Sequence, residues 1–245
     1  PNMISNIKKK SISLMLMNAR ITQKSYKRWK IFPLIAKKNF QSFDICLSSS
    51  KKTSQYLRLL GVKKIKNIGN LKFTESENIK NNLDRDLKKF FLSKNIWCAS
   101  STHNKEELIC ANIHKKLKGK HKNLLTVIIP RHINRANEII NQTKKLDLKI
   151  HLHNSKNRME KDTDIYLVNS FGQTKSFFKI CKTVFLGGSM IRHGGQNPLE
   201  AARFGCKILH GPHIWNFDEI YSLLKKNKVS RKITTSNQLT HEVDK

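Results

Sequence analysis

Thr183-Val-Phe-Leu-Gly187-Gly-Ser-Met-Ile-Arg-His-Gly194-Gly-Gln-Asn197-Pro-Leu-Glu200-Ala-Ala contains a complete strand, turn and helix start. The apolar, β-branched and aromatic run over 183–187 predicts a buried strand. It ends in two glycines, and two more, Gly194 and Gly195, follow in the loop. A helix over 197–204 is expected next, with Asn197 as N-cap, Pro198 as its first residue, Leu199 as its second and Glu200 as its third. Free N–H groups and the dipole at such a helix start favour an anion such as a phosphate. The glycines are expected to let a ligand approach the backbone closely. Glu200 has two readings. It is either a capping-box carboxylate on the N-cap N–H or a carboxylate that accepts hydrogen bonds from the two hydroxyls of a ribose.

Working outward, the same unit recurs. Strands are predicted at 95–100, 124–129, 148–153, 164–168 and 206–209. Helices are predicted at 104–118, 134–145, 171–181 and 216–226. Asn104 and Glu107 have capping-box spacing, as do Ser170 and Gln173. Before them, strands at 12–18, 43–48 and 64–68 alternate with helices at 22–39 and 50–60, and Gly61 fits the position after a helix end. Residues 74–94 are polar and highly charged, which puts a domain boundary near residue 75. The fold class is α/β, with parallel sheets and ligands expected at the carboxyl ends of the strands.

Two further strand ends carry candidate chemistry. Arg131, in Pro130-Arg131-His132, is placed for bidentate phosphate contact or is a solvated loop arginine. In Ser170-Phe171-Gly172-Gln173, Gly172 allows close approach to the backbone. At the end of the first sheet, Gly69-Asn-Leu-Lys72-Phe73 offers a lysine that could neutralise charge on a leaving phosphate.

The chain has 245 residues, 38% hydrophobic, which is ample for a core. Its 48 Lys+Arg against 17 Asp+Glu give a net charge of +31. Such a surface attracts phosphate-rich partners, or it reflects lysines spread over solvated faces. No apolar run approaches the roughly 18 residues of a membrane span. The chain opens on Pro1-Asn2 in mid-pattern, as a fragment would. Five cysteines without a C-x-x-C pair read as buried free thiols of a reducing compartment. The pairs His151/His153 and His210/His213 lack a third ligand at metal-site spacing, so no metal is expected. No zinc-finger, RNP-type or homeodomain pattern supports nucleic-acid binding.

Asn18-Ala-Arg20-Ile, Gly69-Asn-Leu-Lys72-Phe73, Ala99-Ser-Ser-Thr-His103-Asn-Lys-Glu106-Glu, Pro130-Arg131-His132, Gly187-Gly-Ser189, Gly194-Gly-Gln-Asn197-Pro-Leu-Glu200-Ala-Ala and Gly211-Pro-His213 stand in this order. In order and spacing they resemble the 3-deoxy-manno-octulosonic acid (Kdo) transferase family of lipopolysaccharide biosynthesis, from residue 1 to about 225. The resemblance implies a GT-B glycosyltransferase of two Rossmann-like domains. Residues 1–75 would be the last part of the N-terminal, acceptor-side domain, and 76–245 the nucleotide-sugar domain. The donor would be CMP-Kdo and the acceptor a phosphorylated lipid A precursor (lipid IVA). No metal or other cofactor would be needed. The location would be the cytoplasmic face of a bacterial inner membrane, against an anionic surface.

Carried over by matching motif, Pro130, Arg131, Phe171, Gly172, Gln173, Asn197, Pro198, Leu199 and Glu200 would contact CMP, and Lys72 would stabilise the transition state. The family's general-base Glu and its membrane anchor are expected upstream of residue 1, so these 245 residues are expected to bind nucleotide without turnover. Gln196 stands where the family usually has His, and Gln173 where it usually has Glu. The alternatives are a GT-B enzyme using a UDP-sugar and a basic nucleic-acid-binding protein.

Overall fold

Strand-forming runs alternating with amphipathic helices build two parallel sheets, one in each of two compact units, Pro1–Asn78 and Ile79–Lys245. The structure is a computed structural model and describes residues 2–69, 71, 84–155 and 157–245. Lys72 and the expected domain boundary near residue 75 lie outside the described residues.

The first unit contains α1 (Asn2–Lys9), β1 (Met15–Ala19), α2 (Gln23–Ile31), α3 (Pro33–Gln41), β2 (Ile45–Ser48), α4 (Lys51–Leu59) and β3 (Ile65–Asn67). Its strands pair in the order β1-β2-β3, all parallel. Ala19, Ala36, Phe40, Cys46, Leu57, Leu60 and Val62 form its core. The expected strand 12–18 is shorter and less buried than its apolar sequence implies, because Met15 and Met17 on the outer strand are 55% and 59% exposed. The expected single helix 22–39 is two helices. Pro33 forces Phe32 out of helical geometry (φ −122°, ψ 71°), so α2 ends there and α3 begins with Pro33 at its start. α4 ends as expected at Gly61 (φ +98°): Gly61 N–H donates to Arg58 O, and Val62 N–H to Leu57 O.

The second unit contains α5 (Arg85–Leu92), β4 (Asn95–Thr102), α6 (Glu106–Lys118), β5 (Leu124–Pro130), a 3-10 turn Ile133–Arg135, α7 (Ala136–Lys144), β6 (Ile150–Leu152), β7 (Ile165–Leu167), α8 (Thr174–Phe178), β8 (Thr183–Leu186), α9 (Leu199–Arg203), β9 (Lys207–His210), α10 (Asp218–Lys226), β10 (Ser230–Lys232) and α11 (Ser236–Asp244). Its seven strands pair in parallel in the order β10-β9-β8-β4-β5-β7-β6. Alternate residues face opposite layers. Leu125, Val127 and Ile129 of β5 join Phe91, Phe177 and Tyr221 on one side. Ile128 joins Ile113, Ile139 and Leu239 on the other. Burial of each such side chain stabilises the unit by about 1.5–3 kcal/mol before chain entropy.

The chain leaves β4 to build strands on one side and returns with β8 on the other. A parallel sheet opens a crevice at such a reversal, beyond the carboxyl ends of its strands.

A polar cluster ties β5 and α6 to the residue before β7. Asp164 accepts from Lys149 N (2.8 Å), from Lys118 Nζ and from His114, whose other ring nitrogen bonds Thr126. Although burial pushes the Asp164 carboxyl up, these partners hold it down at about 2. All five cysteines are free and buried. Burial pushes the Cys46 and Cys206 thiols up to about 11 and about 12. Among the described residues no helix is long and apolar enough to cross a membrane.

Candidate functional site

The turns after β4, β5, β7 and β8 leave the same edge of the sheet. Leu186 pairs with Ser100, Ser100 with Ile129, and Ile128 with Leu167. This register brings Arg131, Ser170–Gln173 and the Gly187–Glu200 segment to one rim.

Three of the four turns touch. His103, after β4, is 8% exposed. Its ring lies 4.1 Å from that of His193, in the β8 turn, and 5.8 Å from that of His132, in the β5 turn. Gln196 Nε2 lies 3.3 Å from His103 Nε2. The amide can donate there only to an unprotonated ring nitrogen. Burial, followed by the charges of His193, His132, Arg131 and Arg135, brings His103 down to about 4, which keeps it neutral. Arg131 is exposed on this rim, and its N–H donates to Thr102 O (2.9 Å).

The glycine-rich turn after β8 differs from its expected use. Gly188 (φ +63°) bends the chain so that three successive N–H groups converge on the Glu106 carboxylate. Gly188 N donates to Oε2 (2.7 Å), and Ser189 N and Met190 N donate to Oε1 (3.1 and 3.0 Å). His103 N adds a fourth bond, to Oε2 (3.0 Å). Glu106 is fully buried, and these charge-assisted bonds offset its desolvation. The N–H groups of this turn are therefore already occupied by an anion of the chain itself.

Nor do the glycines clear a path for a ligand. A Cβ at Gly187 would lie 2.5 Å from Thr102 Cα. One at Gly194 would lie 2.3 Å from Asn216 Nδ2, and one at Gly195 would lie 3.1 Å from Ile214. The missing side chains make room for neighbouring protein segments.

The segment after this turn is also revised. α9 begins at Leu199, with Pro198 (φ −85°, ψ −4°) before it. Asn197 Oδ1 accepts from Leu199 N (3.2 Å), an Asx-type turn that replaces the expected N-cap. Glu200 is half-buried. No described hydrogen bond joins its carboxylate to the Asn197 N–H.

The turn after β7 has the opposite character. Gly172 has φ +79°, and a Cβ placed there would meet nothing within 4 Å. Phe171 is 76% exposed. The expected capping box is not formed: Ser170 Oγ and Gln173 Oε1 are buried without a hydrogen-bond partner. The left-handed Gly172 postpones the helix to Thr174. Buried polar atoms normally find partners, so these two orphans beside an open glycine are candidate contacts for a polar ligand.

The sequence did not reveal what Glu106 and Glu107 do. The expected Asn104–Glu107 capping box is absent. Lys105 (φ +78°) precedes α6, and Glu107 turns instead to Arg135 (2.8 Å). Arg135 also grips Glu138 (3.0 Å). Burial pushes the Glu107 carboxyl up, and Arg135 works against that shift. A buried acidic pair opening a helix is a signal visible in the sequence, but its partners are not. Among the described residues no group of three or more His, Cys, Asp or Glu could hold a metal. His153 bonds Tyr166 Oη (2.8 Å), and His210 bonds Gly211 O (2.8 Å).

A parallel doubly wound sheet with its polar groups at the strand ends, preceded in sequence by a smaller parallel unit, is the GT-B fold. Solved structures share the fold. The C-terminal CMP-Kdo binding domain of WaaA from Acinetobacter baumannii matches with TM-score 0.60 at 22% identity, over 64% of this chain and 81% of that one. Anabaena Alr3699/HepE in complex with UDP matches with TM-score 0.55 at 10% identity, over 99% and 64%. Residues 1–75 match the family described as 3-Deoxy-D-manno-octulosonic-acid transferase (kdotransferase). The 3-deoxy-D-manno-octulosonic acid transferase of Haemophilus influenzae is 29% identical over 91% of this chain and 53% of its own length. That of Rickettsia typhi is 31% identical over 94% and 50%. The chain is thus similar to Kdo transferases along most of its length, and its first 75 residues match that family's model. It spans about half the length of the curated relatives it matches.

Proposed function

We propose that the second unit binds CMP-Kdo at the strand-end rim, and that the protein takes part in transferring Kdo to a phosphorylated lipid A precursor, lipid IVA. The observation that carries this reading is the pair of orphaned buried atoms, Ser170 Oγ and Gln173 Oε1, beside open Gly172, on the rim that also presents Arg131. An exposed guanidinium suits the phosphate of CMP, and the orphaned hydroxyl and amide suit the polar edges of a nucleoside. Pro130, Phe171 and Asn197–Glu200, at the same strand ends, would complete the contacts. Lys72 would stabilise the departing phosphate, and the general base would be the family's glutamate.

An anionic membrane would meet the first unit at an apolar, basic corner. Ile31, Phe32, Leu34 and Ile35, at the α2–α3 corner, are 68%, 60%, 83% and 53% exposed. Lys24, Lys27, Arg28, Lys30, Lys37 and Lys38 surround them in sequence. Apolar side chains ringed by cations suit an anionic bilayer surface, in keeping with a place on the cytoplasmic face of the inner membrane.

Ligand-induced change in melting temperature tests the whole reading. CMP is expected to raise it by several degrees, more than UMP or UDP, and a short RNA is expected to leave it unchanged. In a parallel arm, the chain should float with phosphatidylglycerol vesicles and stay behind with phosphatidylcholine ones. A larger shift with UDP would move the donor to a UDP-sugar, and a shift with RNA alone would sink the transferase reading. A Kdo-transfer assay on the 245 residues, with turnover as the contrary result, tests the expectation of binding without catalysis.

A further inference from the structure

We infer that Glu106 and Glu107 are positioning residues that set the two turns flanking β4, and that this brace shapes the nucleotide site. The inference rests on reading that rim as the nucleotide site. The two glutamates are neighbours in the first turn of α6 and are both buried, 0% and 1% exposed. They reach in different directions. Glu106 takes the three successive N–H groups of Gly188, Ser189 and Met190, and with them the β8 turn. Glu107 takes Arg135 through both nitrogens of its fork (2.8 and 3.4 Å), and with it the segment that begins at Arg131.

Apart from the local bond from His103 N, these bonds span long stretches of sequence, 82 to 84 residues for Glu106 and 28 for Glu107. The brace therefore fixes tertiary position as well as capping α6, where Glu106 N donates back to His103 O. The β8 turn it holds is tied onward, since Ser189 Oγ accepts from Gly211 N (2.8 Å) and Ser189 O from His213 N (2.9 Å). His103, whose own N–H is bound to Glu106, fills the space between the two turns. Neither glutamate is positioned as a ligand contact, because the oxygens described are occupied by the chain. Their effect on a ligand passes through Arg131, His132, His193 and Gln196.

The test uses the full 245-residue chain with Glu106→Gln, Glu107→Gln, Arg135→Gln and the double variant Glu107→Gln/Arg135→Gln. Two quantities are read: CMP affinity by calorimetry, and hydrogen exchange at the backbone amides of 188–190 and 131–135. Glu106→Gln cannot accept on both sides of its side chain. It is expected to speed exchange at 188–190 at least tenfold, with β4 and β5 amides unchanged, and to weaken CMP at least tenfold. Glu107→Gln is expected to speed exchange at 131–135 and to weaken CMP three- to tenfold. The double variant should be no worse than Arg135→Gln alone, which already removes the Glu107 contact together with the one to Glu138.

Exchange and affinity both staying within twofold of wild type in the two glutamate variants would overturn the inference, as would additive losses in the double variant. If Glu106→Gln does not fold, the Glu107–Arg135 set decides alone. If wild type fails to bind CMP, the nucleotide reading falls, and the exchange data still judge the brace.

Discussion

A methyl group added at Gly187, in the turn after β8, would sit 2.5 Å from Thr102 Cα. One added at Gly172, in the turn after β7, would meet nothing within 4 Å. Both glycines stand between a strand and a helix of the same sheet, and both carry the sequence signal usually read as a ligand cradle. The first turn is closed by the protein itself: Glu106 occupies its N–H groups, and neighbouring backbone and side chains fill its glycine spaces. The second is open, with two polar atoms left unpaired. A glycine-rich turn is thus a statement about backbone crowding. Whether a ligand or another part of the chain does the crowding depends on residues far away in sequence.

The contrast can be broken most directly at the closed turn. Gly187→Ala should cost about 3 kcal/mol of stability, since the added methyl meets backbone and a buried carboxylate that cannot yield without shifting the strand ends. Urea denaturation measures it, and a loss below about 1 kcal/mol would mean that the β8 turn is not closed.

A second effect sharpens the contrast through acid. His103 packs on the closed side with a folded value of about 4 against an ordinary 6.5. Between these values the unfolded chain binds a proton that the folded chain does not. Stability is therefore full above about pH 6.5 and falls as pH drops towards 4, by up to about 3 kcal/mol from this group. His103→Gln should flatten that slope in denaturation curves taken from pH 7 to 4. An unchanged slope would remove His103 from the closed cluster.

The smallest effect on stability belongs to the open turn. Gly172→Ala carries only the left-handed backbone penalty of about 1 kcal/mol, yet it should weaken CMP three- to tenfold by placing a methyl group where the ligand approaches. A stability loss equal to that of Gly187→Ala would erase the difference between the turns.

The alternation of strands and helices was readable from residue 12 to residue 226, because period and turn chemistry are local. Local chemistry also located the helix end at Gly61. It failed where a distant partner or a single backbone angle outweighed it. Glu107 leaves its expected cap for Arg135. Gly172, in a left-handed conformation, shortens the helix expected over 171–181 to Thr174–Phe178. Pro33 divides a helix whose amphipathic pattern runs straight through it. Ser230–Lys232 is a three-residue strand of polar side chains held by the edge of β9, too short for any periodicity to show. The strand-end positions of Arg131 and Ser170–Gln173 were legible, whereas the bonds of Glu106 to the β8 turn were not, since those partners lie more than eighty positions along the chain.

The distribution of thiols gives each unit its own reporter. Cys46 belongs to the first unit, while Cys98, Cys110, Cys181 and Cys206 belong to the second, and every one is inside. An alkylating reagent consequently finds little to modify until a unit opens. The mass of the quenched product then tells which one did: a single adduct marks the first unit and four mark the second.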